Sequence, residues 1–377
     1  MLGVLAFLLV ADWASIALEP IGRQPDTTLY HDYAIAFVQH HQLPLEYPAL
    51  SIALFLLTLA PPLAHYEIVF GAWMLVAVMV AWAIMSKQAG RGAGLALLAY
   101  LVAGAAATVL ERFDVVPALC VLGAWLASRR GRWRWSYLLL GLGTLLKLFP
   151  VFLVPLLAAE QFRTQRTWRG LVAGVAGYVG VVVAGFGLAA LADPAHAFSP
   201  FRYAGDRPLD VSSAAGSLLW LGSFFGWPVH GEATFASYNL VGAGSGWLEG
   251  VAVVAFVLGW VAVFVGVGAG RLNAGRAWIA CLCVLILTSK VFSAQYLIWV
   301  FPLVAAVEGV SAIWLAVALM TSVVFPVLFT LGVTPTGGVG LAYAPGLLAA
   351  VAVRNVLLVV ATVGAIRVRP ESLGRRG

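Results

Sequence analysis

The sequence predicts an all-α polytopic membrane protein, and three observations carry that prediction. Long apolar runs recur from end to end of the chain, and a bilayer core takes about 20 helical residues to cross. Only 10% of the residues are charged, against about 25% in soluble domains, and the mean hydropathy is +0.97. The apolar runs do not alternate as the strands of an outer-membrane barrel would. Nothing resembles a linker to a soluble domain, so residues 1–377 read as one membrane domain. The net charge of +6 comes from loop arginines, which in such a protein set topology rather than contact nucleic acid. Cys120, Cys281 and Cys283 lie in apolar segments, so neither a disulfide framework nor a thiolate metal site is expected.

Taken in order, residues 2–18 read as a first span, interrupted by Asp12 and without the basic start of a signal peptide. The first external loop, 19–48, holds most of the polar chemistry. Asp26-Thr27-Thr28 is a helix start, because short oxygen side chains accept the free first-turn N–H groups. Apolar residues then recur at Leu29, Tyr33, Ala36 and Phe37, with Tyr30, Ala34 and Val38 widening the face. That spacing predicts a short amphipathic helix in the membrane interface. Residues 49–63 are apolar but short, and read as re-entrant. Residues 66–86 span.

Basic loops follow at Lys87 and Arg91, at Arg129 to Arg134, at Arg163 to Arg169, and at Arg271 and Arg276, with a basic tail from Arg367. The positive-inside rule puts them all on the cytoplasmic side. Between them, residues 93–128 read as two passes hinged at Glu111-Arg112-Phe113-Asp114. Residues 135–160 read as two short helices broken at Lys147 and Pro150, a pattern tolerated where broken helices line a cavity. A span at 170–191, a long external loop at 193–213, a Trp-rich segment at 214–229 and a span at 247–269 come next. Runs at 277–289, 292–307 and 310–330 and a last span at 344–366 complete the chain. The total is roughly twelve membrane helices, some broken or re-entrant.

This arrangement gathers the informative charges at the non-cytoplasmic end. Asp26, Asp32, Glu46 and His31 lie in the first external loop. Arg112 and Asp114 sit at a hinge, where they could simply pair with each other. Lys147, Arg202, Arg207 and Lys290 add cations on the same side. A charge at membrane depth costs about 2.5–3.5 kcal/mol on insertion scales, so it usually has a task or a partner. Cations and carboxylates converging on one face suit a phosphate-bearing lipid, since Arg forks and Lys point charges both bind phosphate.

Four stretches, in order, resemble the integral-membrane glycosyltransferases of the GT-C class, and within it glycosyltransferase family 87. They are DTTLYHDYAIAFVQHHQLPLEYPAL from Asp26; RFDVVPALCVLGAWLASRRGRW from Arg112, followed by GLGTLLKLFPVFLVPLL; RYAGDRPLDVSSAAGSLLW from Arg202; and SKVFSAQYLIWVFPL from Ser289. They resemble, respectively, the family's Asp…Tyr…Glu-Tyr-Pro-Pro loop, its Arg-Phe-Asp and Lys-x-x-Pro segments, its external loop, and its late Lys…Gln-Tyr…Trp…Pro segment. The departures are Ala49 for the second Pro, Ala294 for the Pro before Gln295, and Ser212-Ser213 for a Glu-Ser pair.

The resemblance implies a GT-C fold that transfers a sugar from a polyprenyl-phosphate donor to a glycolipid or glycan acceptor. The reaction would take place on the extracytoplasmic face of the cell membrane, with inversion and an Asp general base. Asp26 matches the base position; Asp32 is its competitor, and a plain N-cap is the other reading of Asp26. Arg112, Lys147, Arg202, Arg207 and Lys290 are the donor-phosphate candidates as a set. Tyr30, His31, Asp32, Glu46, Asp114, Gln295 and Tyr296 are the substrate-contacting candidates. Mannose is the sugar the resemblance implies, while arabinose, glucose or galactose suit the same residues. No metal or other cofactor is expected, because fixed cations abound and no Asp-x-Asp or His/Cys cluster stands out. A transporter or flippase for an anionic lipid or solute is the alternative. The absence of an internal repeat and of acids within the spans weighs against it.

Overall fold

In the computed structural model, which describes residues 26–60, 65–329 and 346–367 together with Gly3 and Val10, the chain is a bundle of apolar helices. The expected first span at 2–18 and most of the basic tail lie outside the described residues. Helix α1 (Asp26–His40) is followed by α2 (Ser51–Leu59), α3 (Tyr66–Gln88), α4 (Arg91–Gly104), α5 (Val115–Ser128) and α6 (Trp133–Leu146). A 3₁₀ turn at Phe149–Leu153 leads into α7 (Val154–Gln165) and α8 (Trp168–Ala192). Then come α9 (Ser199–Asp206), β1 (Leu209–Asp210), α10 (Ala214–Ser223), β2 (Val229–Thr234) and β3 (Ser237–Gly242). The rest is α11 (Ser245–Gly268), α12 (Ala274–Thr288), α13 (Leu297–Val307), α14 (Ala312–Ser322) and α15 (Leu347–Arg367).

Four of these helices, α3, α8, α11 and α15, are long and apolar enough to cross a membrane. Helices α8 and α11 present Val172, Val183, Leu188, Val253, Leu258 and Val265 outward, each more than half exposed. Apolar surface on that scale is at home against lipid, where a helix satisfies its own backbone. The shorter apolar helices α4, α5, α12, α13 and α14 fill the interior. Helices α4 and α14 touch backbone to backbone at Gly104, where an added Cβ would lie 2.7 Å from the Ala318 Cα.

Several predicted breaks fall where expected. Between α4 and α5 the chain leaves helical geometry at 105–114, and this segment is almost wholly buried. Helix α6 ends at Leu146, with Lys147 extended and Pro150 within the 3₁₀ turn. Helix α2 has nine residues, about 14 Å at 1.5 Å per residue, too short to cross alone. The basic loops meet at one end of the bundle. Arg130 bonds Gln88, the Arg163 guanidinium donates to the Val267 carbonyl at 2.9 Å, and Arg276 lies 3.9 Å from Glu308.

One small element was not anticipated: an antiparallel sheet in the order β1-β3-β2. Thr234 pairs with Ser237, so Phe235 and Ala236 alone make the hairpin turn, at φ 55° and 49°. Among the described residues, buried apolar side chains fall into two cores. The larger joins Tyr30, Phe55 and Phe113 to the interior helices. The smaller gathers Leu209, Leu219, Leu240, Val324 and Val351 around the sheet, α10 and α15.

Candidate active site

Helix α1 sets the first wall of the site. Thr27, Tyr30 and Ala34 form its buried stripe, following the i, i+3, i+7 spacing of one helix face. Tyr30 is fully buried, stacked on Phe55 at 4.5 Å and edge-on to Phe113. This anchoring puts Asp26, in the first turn of α1, in the wall of a cavity of about 400 Å³. There Asp26 pairs with Arg112 from the α4–α5 segment. The Tyr30 hydroxyl reaches the same carboxylate at a long 3.5 Å.

The α1–α2 loop adds Glu46, Tyr47 and Pro48 to the cavity. It is tied down at both ends. Asp193, just past α8, accepts the Leu43 N–H at 2.9 Å and bonds His196 at 2.7 Å, and the Leu50 N–H donates to the Leu145 carbonyl. Burial raises the Glu46 carboxyl above the ordinary carboxylate range, against the pull of Tyr203, Arg207 and Lys147. Tyr203, on α9, is raised by burial and then by Glu46, and its hydroxyl donates to the Phe235 carbonyl at 2.9 Å.

The break after α6 delivers Lys147. Its ammonium donates to both oxygens of Asp114, at 2.8 and 2.9 Å. Four rings surround it at 5.2–5.7 Å: Tyr47, Phe113, Tyr296 and Trp299. Trp299 donates its indole N–H to Asp114 at 2.6 Å and stacks on Phe149 at 4.0 Å. The four rings and the buried carboxylate all attract the cation. The pairing of Arg112 with Asp114, which their closeness in sequence allowed, is replaced by two cross-pairs, Arg112 with Asp26 and Lys147 with Asp114.

Asp26, Glu46, Arg112, Lys147, Arg207, Lys290, Gln295 and Tyr296 thus line one cavity. Lys290 donates to the Gly205 carbonyl at 2.6 Å and lies 3.6 Å from Glu249. Tyr30 and Asp114 lie behind the wall, the first as an aromatic core residue and the second as the partner of Lys147. His31, Asp32 and Arg202 do not line the cavity. His31 packs edge-on against Tyr66, the Asp32 side chain is 59% exposed, and Arg202 is exposed on α9.

The cavity also contains groups that sequence reasoning missed. Asp210 is buried, accepting the Ser212 N–H at 2.7 Å and the Ser237 hydroxyl at 2.6 Å. Arg354, in the middle of α15, is wholly buried and lies 3.7 Å over the Phe292 ring. It bonds the Ser212 carbonyl and Asn355. The signal for Arg354 was available as a lone Arg-Asn within a 21-residue apolar helix, since an ionisable residue inside a span marks function by default. At the Ser212-Ser213 departure, Ser213 caps α10 by accepting the Gly216 N–H. Among the described residues, no three His, Cys, Asp or Glu side chains group as a metal site would.

No curated protein matches the chain. The sequence model of glycosyltransferase family 87 matches residues 47–293. That span carries Arg112, Asp114, Lys147, Arg207 and Lys290, while Asp26 precedes it and Gln295 follows it. With more than half its length matched, this membrane protein belongs to glycosyltransferase family 87, and is a glycosyltransferase.

Proposed function

We propose that the enzyme transfers a sugar, mannose in the first instance, from a polyprenyl-phosphate donor to a glycolipid or glycan acceptor. The reaction takes place on the extracytoplasmic side of the cell membrane, with Asp26 as general base. The observation that supports this best is the entry of Asp26 and several cations into one cavity among apolar helices. The basic loops at the opposite end support the orientation.

The acceptor hydroxyl oxygen attacks the anomeric carbon, and its proton passes to the Asp26 carboxylate. The bond from the anomeric carbon to the phosphate oxygen breaks, its electron pair leaves with polyprenyl phosphate, and the configuration inverts. Arg112 holds the Asp26 carboxylate in place. Charge developing on the departing phosphate is stabilised by cations fixed in the wall, which need no reorganisation as the reaction proceeds. The Lys147–Asp114 cage braces the wall beside them, and Glu46 and Gln295 offer polar contacts to sugar hydroxyls.

The test is transfer of a radiolabelled sugar from polyprenyl-phosphate-mannose to a lipid extract by purified protein in nanodiscs. Asp26→Asn should lower turnover by about 10²–10⁴-fold, the usual contribution of a general base, with folding intact. Equal transfer by the variant would remove Asp26 from the chemistry. No transfer by wild type from any polyprenyl-phosphate sugar would refute the donor class.

A further inference from the structure

The cavity is lined from both cores, and each contributes a charged group to it. Asp26 enters from the first core, supported by Tyr30 on Phe55. Arg354 enters from the second, on the helix that contributes Leu347 and Val351 to it. A single displacement with inversion places base and leaving group on opposite faces of the anomeric carbon. Arg112 touches the base itself, so it belongs to the base's face. Lys147 is committed through both of its short bonds to Asp114. Lys290 is held by Glu249 and the Gly205 carbonyl, and Arg207, which also has a buried N–H without a partner, acts on Glu46 and lies over the Tyr203 ring. Arg354 differs from these four in its complete burial and its distance in sequence from the first external loop. It has no acid within salt-bridge distance among the described residues, and its Nη1 is buried without a hydrogen-bond partner. The nearby Asp210 carboxylate already has a donor on each oxygen. A guanidinium desolvated this fully and left with an open N–H gains most from an oxyanion partner.

We propose that Arg354 binds the phosphate of the lipid-linked donor and holds it as it departs. Its Ser212 and Asn355 bonds and the Phe292 ring fix the guanidinium, and Nη1 is the nitrogen those bonds leave without a partner. This assignment rests on the transferase reading and moves the phosphate end of the site away from Arg112 and Lys147, to a helix beyond the matched family span.

The test separates the two ideas because it measures binding without turnover. Detergent-solubilised wild type, Arg354→Gln and Arg354→Lys are titrated with polyprenyl phosphate, with the neutral polyprenol of the same length, and with phosphatidylinositol as an anionic lipid that lacks the polyprenyl chain. Wild type should prefer polyprenyl phosphate over polyprenol. Arg354→Gln should weaken phosphate-lipid binding by about ten- to a hundredfold, the loss expected for a hydrogen bond to a charged group, and leave polyprenol unchanged. Arg354→Lys should retain part of the preference, and a melting curve confirms that each variant is folded. No preference in wild type overturns the site, a result that needs no variant to fold. An undiminished preference in Arg354→Gln or a loss confined to phosphatidylinositol also overturns it. Transfer by wild type with an unchanged donor KM in Arg354→Gln would sink the site and leave the transferase standing. Arg354-dependent binding without transfer would do the reverse.

Discussion

Replacing Lys147 with Met isolates the Asp114 carboxylate, and the structure sets the scale of the damage. The Asp114 side chain is 0% exposed and the Lys147 side chain 13%, with nitrogen and oxygen 2.8 Å apart. At an effective dielectric of about 20, that separation corresponds to about 6 kcal/mol of attraction before desolvation is counted. Lys147→Met leaves the carboxylate with the Trp299 indole N–H but without its counter-ion. Breaking one partner of a buried pair costs about 3–5 kcal/mol, whereas replacing both with apolar residues of similar volume is often neutral. Lys147→Met should therefore be far less stable than the double variant Lys147→Met, Asp114→Leu. The assay is a double-mutant cycle on detergent-solubilised protein, read by SDS-induced unfolding and by apparent melting temperature. A single variant as stable as the double, or within about 1 kcal/mol of wild type as exposed pairs are, would refute a desolvated pair.

Two further predictions concern the loop and the helix crossing. Because burial holds the Glu46 carboxyl above its ordinary range, its stabilising contribution is complete below the unfolded pKa and lost as pH rises through the folded one. Glu46→Gln should flatten the fall in melting temperature on the alkaline side of the normal carboxylate range, and an unchanged slope would show that Glu46 ionises freely. Gly104→Val should cost about 1–3 kcal/mol or more by overpacking, since its Cβ would meet the Ala318 backbone at 2.7 Å. A melting temperature equal to wild type would mean that α4 and α14 separate easily.

What was legible in the sequence had a local cause. The α6 break was visible because a charge and a proline interrupt an apolar run within four residues. Asp26 was visible because an acid opening an amphipathic pattern stands out in a hydrophobic chain. The partners of the charges were not legible, because Arg112 reaches back 86 positions to Asp26, and Trp299 reaches Asp114 across 185. His31, Asp32 and Arg202 shared the composition of site residues, but their side chains do not line the cavity, which sequence proximity alone does not reveal. The hairpin stayed hidden for a different reason. A two-residue turn with both φ values positive normally announces itself as Asn-Gly or Asp-Gly; here it is Phe235-Ala236. Arg354 was absorbed into a long apolar stretch that already read as a span.

The same hairpin tip has a consequence for altering the enzyme. Phe235 and Ala236 line the cavity, yet they stand outside the paired positions of the strands that carry them. Their side chains can be varied while the ladder between β2 and β3 stays intact, and neither residue belongs to the helices that position Asp26, Lys147 or Arg354. Residues 235 and 236 are therefore the natural place for a small combinatorial library aimed at the shape of the cavity. Asn or Gly at either position would add backbone ease as it removes wall surface, so fitness in such a library would report shape and strain separately.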